Sequence, residues 1–121
     1  TSLRAVIVPH AGYRYSGSIA AHAYAAVDPQ SIRRVFVLGT SHSLSLNSCA
    51  LPDSRCSAYD TPLGPLPLDV EVLARLKSTG SFATLTQVQD EDEHSIELQL
   101  PYLRHVLQPA CNDVKLVPIV V

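Results

Sequence analysis

The chain has 121 residues, 46% of them hydrophobic and 17% charged, with a formal net charge of -2. That is the composition of an ordinary globular chain, long enough to bury one domain core. Nine Lys and Arg, scattered among eleven Asp and Glu, leave no basic excess to neutralise phosphates, so nothing calls for a nucleic-acid partner. No apolar run approaches the ~20 residues of a membrane span and no leader pattern is visible, so no membrane insertion and a cytoplasmic location are expected. Cys49, Cys56 and Cys111 are odd in number and lack CxxC spacing, which points to reduced, buried thiols rather than disulfides or a zinc knuckle.

In chain order, Arg4 to Pro9 (RAVIVP) is short, apolar and β-branched, the pattern of a strand buried on both faces. A glycine-containing loop, PHAGYRYSG, follows it. The Ala-rich stretch from Ser18 to Val27 predicts a first helix, stopped by Asp28-Pro29. Arg34 to Gly39 (RVFVLG) repeats the strand pattern, so residues 4 to 39 read as a β-α-β unit with two parallel strands. Cys49 to Tyr59 has room for short strands, and TPLGPLPLD at 61 to 69 predicts irregular chain, with Asp69 capping a helix from Val70 to Thr79 that Gly80 ends. Ile96, Leu100, Leu103 and Leu107 fall on one helical face and predict a helix from Ser95 to Leu107, bent at Pro101. Lys115 to Val121 predicts a last apolar strand, with Pro118 arguing for an edge position or an irregular ladder.

The fold class expected is therefore α/β, a largely parallel or mixed sheet flanked by helices. Residues 1 to 121 form one portion of a single domain on this reading. The first residue is not Met and the last ones are apolar, so the chain reads as a fragment. It is expected to leave apolar strand surface bare and an unpaired edge at 116 to 121.

In open α/β sheets, ligands collect outside the carboxyl ends of the strands. His10 follows the first predicted strand and His42 the second, so parallel pairing at ~4.8 Å would bring both imidazoles to one edge, where they can share a metal ion. A lone loop histidine is more often a hydrogen-bonding residue than a ligand; two at matched strand ends shift that balance. Two imidazoles leave the ligand set unfilled, and the remainder is expected from beyond residue 121. His22 and His105 read as structural or exposed.

In QDEDEHSIELQLP (89 to 101), the carboxylates of Asp90, Glu91, Asp92 and Glu93 can serve a helix start through its dipole, with Asp92 or Ser95 as cap. The functional alternative pairs Glu93 with His94, as acid and base or as a carboxylate fixing a ring tautomer. The GYRYSG loop offers Tyr13, Arg14, Tyr15 and Ser16. It is no phosphate loop, because Ser18 and Ile19 stand where Lys and Ser or Thr would be required. Arg14 and Tyr15 could bind an anionic or aromatic ligand, or pack the site mouth. GTSHS at 39 to 43 lacks the GxSxG spacing of a hydrolase elbow.

Taken in order, PHAGYRYSGSIAAHAY (9 to 24), RRVFVLGTSHS (33 to 43) and DEDEHSIELQLPYL (90 to 103) resemble the Memo family over essentially the whole chain. The resemblance implies a fold like that of the extradiol, non-haem-iron ring-cleaving dioxygenases, in members about twice this length or more. It implies His10 and His42 as the two N-terminal metal-site histidines, with iron or copper as the metal. The family completes its site with a histidine-containing segment and a cysteine from the C-terminal half, a position that Cys49, Cys56 and Cys111 do not occupy. Ser43 departs from the second histidine that relatives often carry, and His94 matches the family's EHSIE motif.

Two functions follow as expectations. The first is a dioxygenase-like oxidoreductase or metal-handling protein acting on a small aromatic substrate, with His10 and His42 as ligands and Tyr13, Glu93 and His94 as catalytic or lining groups. The second is a phosphotyrosine-peptide-binding adaptor in cell motility and growth-factor signalling, with Arg14 and Tyr15 contacting the peptide. The 121-residue piece alone is expected neither to hold metal tightly nor to be fully stable.

Overall fold

The computed structural model describes residues 3 to 108 and 113 to 121. The elements are α1 (Tyr13–Ala25), β1 (Arg34–Gly39), β2 (Ala50–Leu51), β3 (Ala58–Tyr59), β4 (Leu66–Pro67), α2 (Val70–Ser78), β5 (Ala83–Thr84), α3 (Gln87–Glu91), α4 (Leu100–Val106) and β6 (Lys115–Val120), with 3-10 turns at Pro29–Ser31 and Glu97–Gln99. A mixed four-stranded sheet runs β1-β6-β2-β5, and β3 and β4 form a separate antiparallel ribbon. The α/β class with flanking helices is as expected.

The core forms where the main sheet meets α1, α2 and α4. Ile96, Leu100, Leu103 and Leu107 are all buried, as their spacing requires, and pack with Ala20, Tyr24, Leu51, Leu73, Leu116 and Val117. The start of this helical region differs from the expectation. A 3-10 turn leads into α4, and Pro101 sits in its first turn. Proline's missing N–H is harmless there, so Pro101 starts the helix and does not bend it. Helix α2 follows its sequence signals closely: the Asp69 side chain accepts from the Val72 amide, and Gly80 takes φ +75° just beyond the end.

Helix α1 begins at Tyr13, five residues before Ser18. The GYRYSG segment is therefore the first turn of a helix and not a loop, with Gly12 at the cap and the Ser16 hydroxyl donating back to the Ala11 carbonyl at 2.9 Å. The strand expected at 4 to 9 is also corrected, because residues 3 to 10 carry no regular secondary structure. Val6, Ile7 and Val8 line a cavity of about 350 Å³ together with Val35 to Leu38, and among the described residues no ladder pairs the two segments. Among the described residues, no hydrogen-bonded ladder closes the β-α-β unit.

The parallel partner of β1 is instead β6, in register from Arg34 opposite Lys115 to Gly39 opposite Val120. This overturns the unpaired edge expected at 116 to 121, since β6 lies between β1 and β2. Pro118 fits this central place because of the alternation along the strand. The amides of Lys115 and Val121 donate to β1, so Pro118 turns its missing N–H the other way. On that side, among the described residues, the β-bridges fall at Leu116, which bridges Leu68, and at Val120, which pairs with Ala50. The ladder is irregular there, as Pro118 predicts.

The sheet's open side is at β1. Val37 is buried, while Phe36 and Leu38 on the opposite face are 53% and 66% exposed, and Ile7 is 99% exposed. A strand apolar on both faces is thus covered on one. Cys49 and Cys56 are half-buried free thiols, less covered than expected, and Cys111 lies outside the described residues. Among the described residues no helix is long and apolar enough to cross a membrane.

Candidate metal centre

The ends of two segments bring the histidines together. His10 ends the irregular segment that shares a cavity with β1, and His42 follows β1 itself. Their ring centroids are 5.2 Å apart with the planes tilted by 53°. Two imidazoles whose nitrogens sit ~2.1 Å from one tetrahedral ion have centroids about 5 Å apart. Bare tilted ring contacts fall in the same range, so the surroundings matter more than the separation.

Those surroundings centre on Glu93. The Glu93 residue is 6% exposed, and its carboxylate makes four hydrogen-bond contacts. Oε2 accepts from the His42 amide at 2.6 Å, while Oε1 accepts from the amides of His94 at 2.9 Å and Ser95 at 3.1 Å and faces His42 Nδ1 at 2.8 Å. Burial pushes the Glu93 carboxyl up, but the His42 ring and the three amides outweigh it and hold the pKa at about 2. The 2.8 Å separation puts His42 Nδ1 and Oε1 within hydrogen-bond distance, with the donor set by the ring's tautomer.

The approach of these segments is close because residue 39 has no side chain. A Cβ at Gly39 would stand 2.5 Å from both Ser95 Oγ and Ile96 Cγ1. The His10 side is fixed by Gln99, whose Nε2 donates to the carbonyls of Pro9 and Ser95, each at 3.3 Å. Gln99 Oε1 in turn accepts from the buried Tyr24 hydroxyl at 2.7 Å.

Glu93 meets the His42 ring, whereas the sequence reading paired it with His94. The His94 ring instead meets Glu97 at 2.7 Å on the surface, and that partner raises its pKa. Asp90 and Glu91 lie inside α3, which Thr86 and Gln89 close with a capping box, and Glu93, rather than Asp92 or Ser95, binds the amides of the following turn. Tyr13 donates to the Leu98 carbonyl at 2.7 Å and meets Tyr102 edge-on; burial raises its pKa. Arg14 and Tyr15 are exposed, Tyr15 by 80%. Among the described residues, no hydrogen bond, ion pair or ring contact joins the side chains of Tyr13, Arg14, Tyr15 or His94 to His10 or His42.

Sequence reasoning missed Gln99, Tyr24 and the close approach at Gly39. Only the last had a signal, a glycine ending an apolar strand, which marks backbone contact. Two cavities lie near, one reaching His10 and the other reaching Glu93 but neither histidine. One, of about 350 Å³, includes His10, Ser95 and Gln99; the other, of about 750 Å³, is lined by Cys56, Tyr59, Asp90, Glu93 and Glu97. Among the described residues no three His, Cys, Asp or Glu side chains gather around one point; the imidazoles of His10 and His42 are two donors of a kind that a metal takes.

The family model for Memo-like proteins matches residues 1 to 121. The chain is 49% identical over 118 residues to Protein MEMO1 of Xenopus laevis and 46% identical over 118 residues to Protein MEMO1 of Homo sapiens, each alignment covering 98% of this chain and 39% of the relative. It is 45% identical over 104 residues to the Protein memo-1 homolog of Caenorhabditis elegans, covering 86% of this chain and 29% of that one. The chain thus spans about two fifths of the length of its vertebrate relatives, and it belongs to the Memo-like family.

Proposed function

We propose that the intact protein is a cytoplasmic metal-binding protein that holds iron or copper through His10 and His42 and acts as a dioxygenase-like oxidoreductase on a small aromatic substrate. The observation carrying this reading is the pair of imidazoles with centroids 5.2 Å apart, one of them fastened through Nδ1 to a buried carboxylate. Metal-ligating histidines commonly make that second contact. A redox ion with open positions supplies a place for oxygen and substrate to exchange electrons. This chain's own residues supply two ring nitrogens, the carboxylate that holds one ring, and the Gln99 link that holds the backbone before the other. The remaining ligands come from the part of the protein that this chain does not span.

The experiment is metal analysis of full-length protein against His10→Ala and His42→Ala, joined to oxygen uptake with catechol-type substrates. A second reading, a phosphotyrosine-peptide adaptor in cell motility, draws on the exposure of Arg14 and Tyr15 on the first turn of α1. Arg suits forked recognition of a phosphate. Peptide titration against Arg14→Ala tests it: affinity indifferent to that change removes Arg14 from the reading.

A further inference from the structure

The contacts of Glu93 are more specific than a turn cap requires. Holding the turn at 93 to 95 takes only the bonds from the His94 and Ser95 amides. The same carboxylate also reaches 51 residues back, where it binds both the amide and the ring of His42. Two bonds to one residue fix the ring's position as well as the backbone under it.

We infer that Glu93 is a positioning residue that locks His42 in the Nδ1–H tautomer, leaving Nε2 as the ring nitrogen with a free lone pair. Both carboxylate oxygens already accept from backbone amides, Oε2 from His42 and Oε1 from His94 and Ser95, so the ring nitrogen that faces Oε1 is the donor. A neutral imidazole has one N–H, and placing it on Nδ1 bares Nε2. The His42 side chain is about half exposed while Glu93 is buried, so the bare nitrogen belongs to the reachable partner of the pair. Neutral imidazole in water carries its proton mainly on Nε2, and the lock therefore reverses the ring's own preference. In the metal reading, on which only the affinity measurement below rests, this makes Nε2 the ligating atom. His94 carries no such role, because its ring is engaged by Glu97.

The test is nitrogen NMR of metal-free, histidine-labelled full-length protein at about pH 8, above the ordinary imidazole range. The expected result is an Nδ1–H ring for His42 in the wild type and a return to predominantly Nε2–H in Glu93→Ala. The wild-type spectrum decides even where Glu93→Ala fails to fold: an Nε2–H ring, or an averaged mixture, overturns the inference. So does an Nδ1–H ring that persists in folded Glu93→Ala. Anaerobic titration with ferrous iron adds an independent arm. Glu93→Gln keeps the shape but cannot accept at both positions, and is expected to lower affinity ~10–100-fold, while His94→Ala leaves it unchanged. If the wild type takes up no iron, the metal reading fails by itself, and the ring tautomer still settles the role of Glu93.

Discussion

Glu93 and His42 lie 51 residues apart in the chain and are joined by two hydrogen bonds, 2.6 Å to the backbone amide and 2.8 Å to the ring. This joint ties the end of β1 to the turn between α3 and α4. Its length leaves little room for error, and Gly39 marks where the room runs out.

Gly39→Ala is expected to force the 95 to 96 turn away from β1, since the new Cβ would meet Ser95 Oγ and Ile96 Cγ1 at 2.5 Å. Overpacking of this kind costs about 1–3 kcal/mol. Denaturant unfolding of full-length protein measures the cost, and His42 ring shifts report whether Glu93 has moved. An unchanged midpoint with unchanged shifts would mean that the turn yields freely.

Tyr24→Phe isolates one hydrogen bond. The ring stacks on Tyr102 at 4.9 Å, nearly parallel, and phenylalanine keeps that contact. What is lost is the bond from the hydroxyl to buried Gln99 Oε1. An unsatisfied buried acceptor costs about 1–3 kcal/mol, and the Gln99 hold on the Pro9 carbonyl should loosen with it. Expected outcomes are a lower unfolding midpoint and faster amide exchange at His10 and Ala11. Unchanged exchange there would show that Gln99 holds the segment without help from Tyr24.

Asp69 gives the fold an acid sensitivity of known sign. Burial pushes its carboxyl up, but the Arg34 guanidinium at 2.6 Å and the Val72 amide outweigh it and lower the pKa from the ordinary value of 3.8. A group with a lowered folded-state pKa stabilises fully above its unfolded value and loses that stabilisation as pH falls through the folded one. Wild type should therefore weaken below pH 3.8 more steeply than Asp69→Asn, which has no carboxyl to protonate. Parallel stability curves for the two proteins through acid pH would contradict the assignment.

His94→Ala separates the two histidines on either side of Glu93's local turn. Among the described residues its ring hydrogen-bonds Glu97 at the surface, so removal should leave the His42 tautomer, metal content and unfolding midpoint unchanged. A loss of metal comparable to that of His42→Ala would place His94 in the site after all.

Local pattern carried much of the fold. The spacing of Ile96, Leu100, Leu103 and Leu107 identified the buried face of the last helix, and Asp69 with Gly80 bounded α2, because both signals act within a few residues. Strand partners were less legible. Nothing in RVFVLG says that its neighbour is β6, 81 residues on from Arg34 to Lys115, and Pro118 was compatible with a central place only because its two flanking contacts fall at Leu116 and Val120. GYRYSG was misread because its glycines signal a turn, although Gly12 caps a helix and Gly17 lies within it. In the site, the spacing of the two histidines after apolar runs was readable. The partner of His42 was not, since four successive carboxylates look alike in sequence and only folding decides which is buried.

Metal content bears most directly on the central claim. Full-length protein is purified in wild-type, His10→Ala and His42→Ala forms, loaded anaerobically with ferrous iron or with copper, desalted and assayed for bound metal by mass spectrometry. The wild type is expected to hold about one equivalent and each variant to lose most of it, with all three folded. Equal metal in the three proteins, or none in the wild type, would contradict it.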